Sequence, residues 1–181
     1  MRPISEKQRE HLARARLLAS AKKRKARDQK HRILTARFQP LANALDDANT
    51  AKIALALLYL AEGGKNRKGA LMFGNSDPGI ICLFLRLLRQ CYAVREDRFR
   101  CTVQCRSGQH AETLERFWSK TTNIPRTQFY KTRVDQRTAG KPVKNPAYKG
   151  VCRIDYFSAD IFTELTIIAR VLTHEGRWRS W

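Results

Sequence analysis

The stretch Leu55-Ala56-Leu57-Leu58-Tyr59-Leu60-Ala61-Glu62-Gly63 ends an apolar helical run on an acid and a glycine. The C-terminal end of a helix carries partial negative charge, so a carboxylate there costs about 0.3–1 kcal/mol unless a cation offsets it. Two readings fit Glu62: a ligand for a hard cation, or a surface carboxylate paired with Lys65 or Arg67. A second pattern runs from Arg98 to Arg106. Phe99, Cys101, Val103 and Cys105 alternate with Arg98, Arg100, Thr102, Gln104 and Arg106, which predicts a strand with one apolar face. The other face is a row of cations and hydrogen-bonding groups. Lys131, Arg133 and Arg153 lie in neighbouring strand-like stretches and extend it. Solvated sheet faces usually mix charge signs, whereas this one is nearly all cationic.

Other candidates for chemistry fall away on spacing. Cys101 and Cys105 stand four residues apart in an extended pattern, hence about 13 Å apart, too far for a shared metal or a disulfide. The five cysteines are scattered through apolar patterns and suit buried thiols in a reducing compartment. His11, His31, His110 and His174 are far apart, with no Cys or acid at ligand spacing. Asp77 and Ser158 are better read as helix caps than as catalytic groups, and no glycine-rich phosphate loop is present.

With 181 residues and 43% apolar content, the chain suits one domain plus an arm. Its formal charge of +20 is the strongest global fact and favours a polyanionic partner, nucleic acid first. The longest apolar run is about ten residues, short of the ~20 that span a bilayer. The first residues lead into charge rather than into the apolar core of a signal peptide. A soluble, intracellular protein is expected, cytoplasmic or nucleoid-associated, with no membrane partner.

The elements that must position these residues follow from pattern. Residues 1 to about 37 hold thirteen Lys or Arg against Glu6, Glu10 and Asp28, about half the net charge. Ser5 and Gln8 form a capping-box pattern, and the composition that follows favours helix. Lys22, Lys23, Arg24 and Lys25 give that helix no apolar stripe, so a phosphate-tracking arm that forms fully against a partner is expected. Residues 38–50, with Pro40 and the Asp46-Asp47 cluster, predict a linker and then a helix start. Three segments result: a basic arm and linker over 1–49, a folded domain over 50–172, and a tail over 173–181. Within the domain, a helix runs to Glu62 and Gly63-Gly64 end it. A short strand spans Ala70 to Phe73, and Asp77-Pro78 open an apolar helix. The strand with the cationic face comes next, followed by an amphipathic helix over Glu112 to Thr121. Strands at Phe129–Val134 and Gly150–Tyr156 precede a helix capped by Ser158.

This order resembles the LAGLIDADG homing-endonuclease family over about Thr50 to Leu172. Leu55, Ala56, Leu58, Ala61 and Gly63 match the family nonamer, and Glu62 replaces its functional aspartate. Phe73-Gly74-Asn75-Ser76-Asp77 looks like the family's strand-to-helix turn. Cys152 to Ser158 looks like its last strand entering its last helix. Leu57 stands at the family's glycine, the first strand is nearly lost in the Gly64–Gly69 turn, and Glu112–Thr121 is an added helix.

The resemblance implies an α+β fold, an αββαββα saddle with an inserted helix. It also implies a homodimer, in which two copies of the first helix meet on a two-fold axis and bring two Glu62 side chains to a DNA duplex. Glu62, with the Gly63 carbonyl, would hold Mg²⁺ for phosphodiester hydrolysis, and Lys65 would steady the leaving group. Arg98, Arg100, Gln104, Arg106, Lys131, Arg133 and Arg153 would lie over the major groove, where Arg can pair with guanine and Gln with adenine. The function implied is a site-specific, Mg²⁺-dependent double-strand DNA endonuclease. The alternative is a non-cleaving RNA- or DNA-binding protein on the same fold, acting as an intron-splicing helper, ribosome-associated factor or regulator.

Overall fold

A computed structural model of the chain describes residues 5–64, 69–142, 145 and 147–173. It divides into two units, Met1–Asp46 and Asp47–Trp181. The first is the helix α1 (Glu6–Asn43) with a 3₁₀ turn over Ala44–Asp46. The expected capping box is present: Gln8 N donates to Ser5 Oγ, and Ser5 N donates to Gln8 Oε1 at 3.0 Å. The linker expected from residue 38 is helical instead as far as Asn43, with Pro40 inside the last turn of α1. No described residue of α1 is buried. Lys22, Lys23, Arg24 and Lys25 are all exposed.

The second unit is α+β. It runs α2 (Ala48–Glu62), β1 (Leu71–Asn75), α3 (Pro78–Cys91), β2 (Phe99–Arg106), α4 (Ala111–Thr122), β3 (Arg133–Asp135), β4 (Val151–Tyr156) and α5 (Ala159–Thr173). Helices α2, α3 and α5 start where the sequence supplies a cap, whereas His110 at the start of α4 makes no capping bond. Asp47 accepts from Thr50 N at 2.7 Å, Asp77 accepts from Gly79 N at 2.7 Å ahead of Pro78, and Ser158 accepts from Ile161 N at 3.4 Å. The backbone N–H groups orphaned at those helix starts thereby find partners.

The sheet order is β1-β4-β2-β3, with β4 antiparallel to both neighbours and β3 parallel to β2. This departs from the expected strand pair, in which 129–134 and 150–156 would lie together. Burial explains the order. Cys152, Ile154 and Tyr156 are all buried, so β4 takes a central place, whereas Arg133 and Val134 are exposed and suit the edge. Only Arg133–Asp135 forms a ladder with β2, and Phe129 adds one isolated bridge to Cys101.

Alternation then splits the sheet into two faces. Phe73, Phe99, Cys101, Val103, Cys152 and Ile154 are fully buried beneath the helices of this unit. Phe73 and Phe84 of α3 stack at 4.1 Å, and Trp118 of α4 is fully buried with Nε1 donating to Lys149 O at 2.8 Å. The other face carries Gln104 and Arg133, which are exposed, Arg153, which is half-buried, and Thr102 and Asp155, which are buried. Cys101, Cys105 and Cys152 are buried free thiols, as their apolar pattern predicts, whereas Cys82 is exposed and Cys91 half-buried. Burial pushes the Cys105 thiol above its ordinary range.

Arg98 does not join the strand. It closes a 3₁₀ turn over Glu96–Arg98, in which Arg98 N donates to Arg95 O at 3.0 Å. Arg89 fixes this turn through two bonds of 2.8 Å to Glu96, and those bonds hold the Glu96 carboxyl below the usual range. Strand alternation therefore begins one residue later, at Phe99. No described helix is long and apolar enough to cross a membrane.

Candidate nucleic-acid interface

The polar sheet face is assembled by register. Thr102 of β2 lies opposite Arg153 of β4, and Gly74 of β1 lies opposite the same Arg153. Gln104 pairs with Val151 on one side and with Arg133 on the other. One groove of about 260 Å³ is consequently lined by Glu62, Gly63, Gln104, Arg133 and Arg153, residues from three strands and one helix end. Four of them are separated by long stretches of chain and meet only because β4 lies between β1 and β2.

Glu62 is exposed at the end of α2, whose last turn carries no basic residue. What answers its charge among the described residues is a neutral donor: Asn75 Nδ2 donates to Glu62 Oε2 at 3.2 Å. Asn75 Oδ1 in turn accepts from Asp77 N at 2.8 Å, which ties the acid to the start of α3. Asn75 was read from sequence only as part of a helix-start signal, and its grip on Glu62 was not. Lys65, expected beside this acid, lies outside the described residues.

Gly63 ends the helix, as expected, in extended backbone. Its φ is −77°, and its N–H donates to Tyr59 O at 2.7 Å. A Cβ at Gly63 would lie 2.4 Å from Tyr59 O and 2.6 Å from the Tyr59 ring, so close approach is what requires glycine. The Tyr59 hydroxyl closes the corner, donating to Gly64 O at 3.1 Å and accepting from Met72 N at 3.3 Å. Gly63 also bridges Phe73, leaving a remnant of the first hairpin strand.

The predicted basic residues differ in availability. Gln104, Lys131 and Arg133 are exposed and make no side-chain hydrogen bond or ion pair among the described residues. Arg153 is committed: its guanidinium donates to Asp155 Oδ2 at 2.8 and 3.2 Å and to Thr102 Oγ1 at 3.3 Å. Arg100 donates to Asp97 O and Phe99 O, both at 2.7 Å. Arg106 turns to a neighbouring hollow, where its Nη2 donates to Pro142 O at 3.4 Å. Arg98 stands apart in its 3₁₀ turn, and Lys22 to Lys25 belong to α1, in the other unit. On the edge strand, hydrogen bonds from Arg137 hold the Asp135 carboxyl below its usual range.

The arrangement suits recognition of a polyanion. Free Arg, Lys and Gln side chains on an open, shallow face can pair with phosphates and with base edges. As a metal centre it offers one carboxylate per chain, and no cluster of three His, Cys, Asp or Glu occurs among the described residues. One carboxylate fits Mg²⁺, which keeps most of its waters. Tyr130, Asp155 and Phe157 also line the face, and Asn75 holds Glu62 at its rim; none is marked as a site residue by the sequence, although Phe157 continues the period-two series Arg153, Asp155. No family model matches the chain, and no curated protein or solved structure does so either.

Proposed function

We propose that the chain is a nucleic-acid-binding protein that lays the open face of its sheet on DNA while α1 follows the phosphate backbone. The observation that carries this reading is the groove in which exposed Gln104 and Arg133 stand together, unpaired among the described residues, on the polar sheet face. The charge of +20 supplies the attraction, and the side-chain types supply the means to read bases. Replacing Lys131 and Arg133 by alanine together weakens duplex binding about tenfold or more and makes its salt dependence shallower by nearly two units. Fluorescence anisotropy at stepped salt measures both; unchanged affinity would remove this face from the interface.

A second reading, cleavage of the bound DNA, is favoured by Glu62 at the rim of the same groove and by the LAGLIDADG-like run that ends on it. Mg²⁺ bound there would supply a nucleophilic water and offset charge on the phosphate. Glu62 would hold it, Asn75 would orient Glu62, and the second carboxylate would come from a second copy of the chain. Ile53 and Leu57 leave an apolar stripe of α2 41% and 43% exposed, which such a copy could cover. In this reading Glu62→Gln lowers Mg²⁺-dependent cutting of a DNA library by about 100-fold or more and leaves binding intact. Cutting that survives the substitution would take Glu62 out of the chemistry.

A further inference from the structure

Beside the groove, the same face opens into a larger hollow of about 640 Å³, within the ~300–1,000 Å³ range of small-molecule sites. Its lining joins two kinds of group that seldom meet on a bare surface. Tyr130 and Phe157 contribute aromatic rings that are 46% and 47% exposed, and Lys131, Arg133 and Arg153 contribute cations. Tyr130 is held in place by its backbone, whose N–H donates to Cys101 O at 2.8 Å. Asp155 also lines the hollow. It is 4% exposed, its Oδ2 is taken by Arg153, and its Oδ1 is buried with no hydrogen-bond partner among the described residues. A buried carboxylate oxygen without a donor is costly, so an incoming N–H group would be strongly favoured.

We infer that this hollow is a site for one unpaired nucleobase. Aromatic rings stack on the flat face of any base, cations take the flanking phosphates, and a buried carboxylate accepts an N–H from the Watson–Crick edge. That edge offers its N–H groups only when the base is unpaired, so the site selects a single strand, a loop or a bulge over a plain duplex. The inference rests on the nucleic-acid reading above and sharpens it: the preferred partner carries an unpaired base beside the stretch that the groove holds. Base identity is left loose, because every base presents an N–H on that edge.

The test compares the full-length chain with Tyr130→Ala/Phe157→Ala, using a single-stranded oligonucleotide and a duplex of the same sequence in anisotropy titrations. Both side chains are half-exposed, so the variant should keep its fold, which circular dichroism checks. Single-strand affinity is expected to fall about 5- to 100-fold, and duplex affinity by a distinctly smaller factor. Tyr130→Trp, which keeps a stacking surface, is expected to bind the single strand as the wild type does. A 2-aminopurine placed in the single strand should be quenched by the wild type and not by the double alanine variant. Unchanged single-strand binding, or equal losses on both substrates, overturns the site while leaving the general reading standing. Failure of the wild type to bind either substrate overturns both.

Discussion

Raising salt from about 50 to about 200 mM is expected to weaken DNA binding by the full chain about 10³- to 10⁵-fold, and deleting residues 1–46 should remove much of that dependence. The first figure follows from counterion release if about six to ten phosphates are neutralised. The chain has the cations to do it: thirteen Lys or Arg precede residue 38, Arg133 stands free on the edge strand and Lys131 stands free just before it. The second follows from α1 itself. It is a 38-residue helix with no buried residue and only Glu6, Glu10 and Asp28 against its cations, so most of its charge is left uncompensated within the helix. An exposed helix of that kind contributes affinity without sequence preference. Discrimination between sequences should therefore survive the deletion even as total affinity drops. Anisotropy titrations of the two proteins across a salt series give both slopes directly; parallel slopes would mean that α1 does not touch the backbone.

The largest single-residue effect is expected at Gly150, where alanine should destabilise the second unit by about 2–5 kcal/mol. Gly150 has φ +73°, a left-handed conformation that a side chain disfavours, and a Cβ there would lie 2.5 Å from Gln104 O. That neighbour is backbone and cannot rotate away. The turn is also pinned from both sides, by Trp118 Nε1 on Lys149 O and by Gln109 Nε2 on Tyr148 O, each at 2.8 Å. Relief would require β4 to shift against β2 at the point where Gln104 faces the groove. Thermal denaturation should show the loss of stability, and the folded fraction should bind DNA more weakly. Gly140, at φ +71° but with open space around its Cβ position, is the control: its alanine variant should lose less.

Sequence pattern carried local structure well and long-range structure poorly, and the residues show why. Asp47, Asp77-Pro78 and Ser158 mark helix starts because capping is decided within four residues of chain. The apolar set of α3, with Ile81, Phe84, Leu85 and Leu88 buried, follows from helical period alone. The strand order does not. Whether 150–156 pairs with 129–134 or inserts between β1 and β2 depends on which strand can be buried on its inner face, a competition among segments distant in the chain. Proline did not mark a boundary at position 40, since α1 continues through it to Asn43.

The candidate site divides in the same way. Residue type named Glu62, Gln104, Lys131, Arg133 and Arg153, and register brings four of them to one groove. Partnership was illegible. Arg153 and Arg100 looked as available as Arg133, yet the first is bound to Asp155 and Thr102, and the second to backbone carbonyls. Asp155 looked like one more strand polar residue, and only its register opposite Met72 and Arg100 buries it. Asn75 reaches Glu62 across thirteen residues because Gly63 and Gly64 turn the chain back onto β1.

The central claim, that nucleic acid lies on the polar sheet face, is tested most directly by site-specific photo-cross-linking. A benzophenone amino acid placed at Gln104, on that face, is compared with one at Arg116, exposed on helix α4. Irradiation with labelled DNA at low salt is expected to give a strong adduct from position 104 and little from position 116. Adducts of equal yield from both positions, or a yield confined to position 116, would contradict the account.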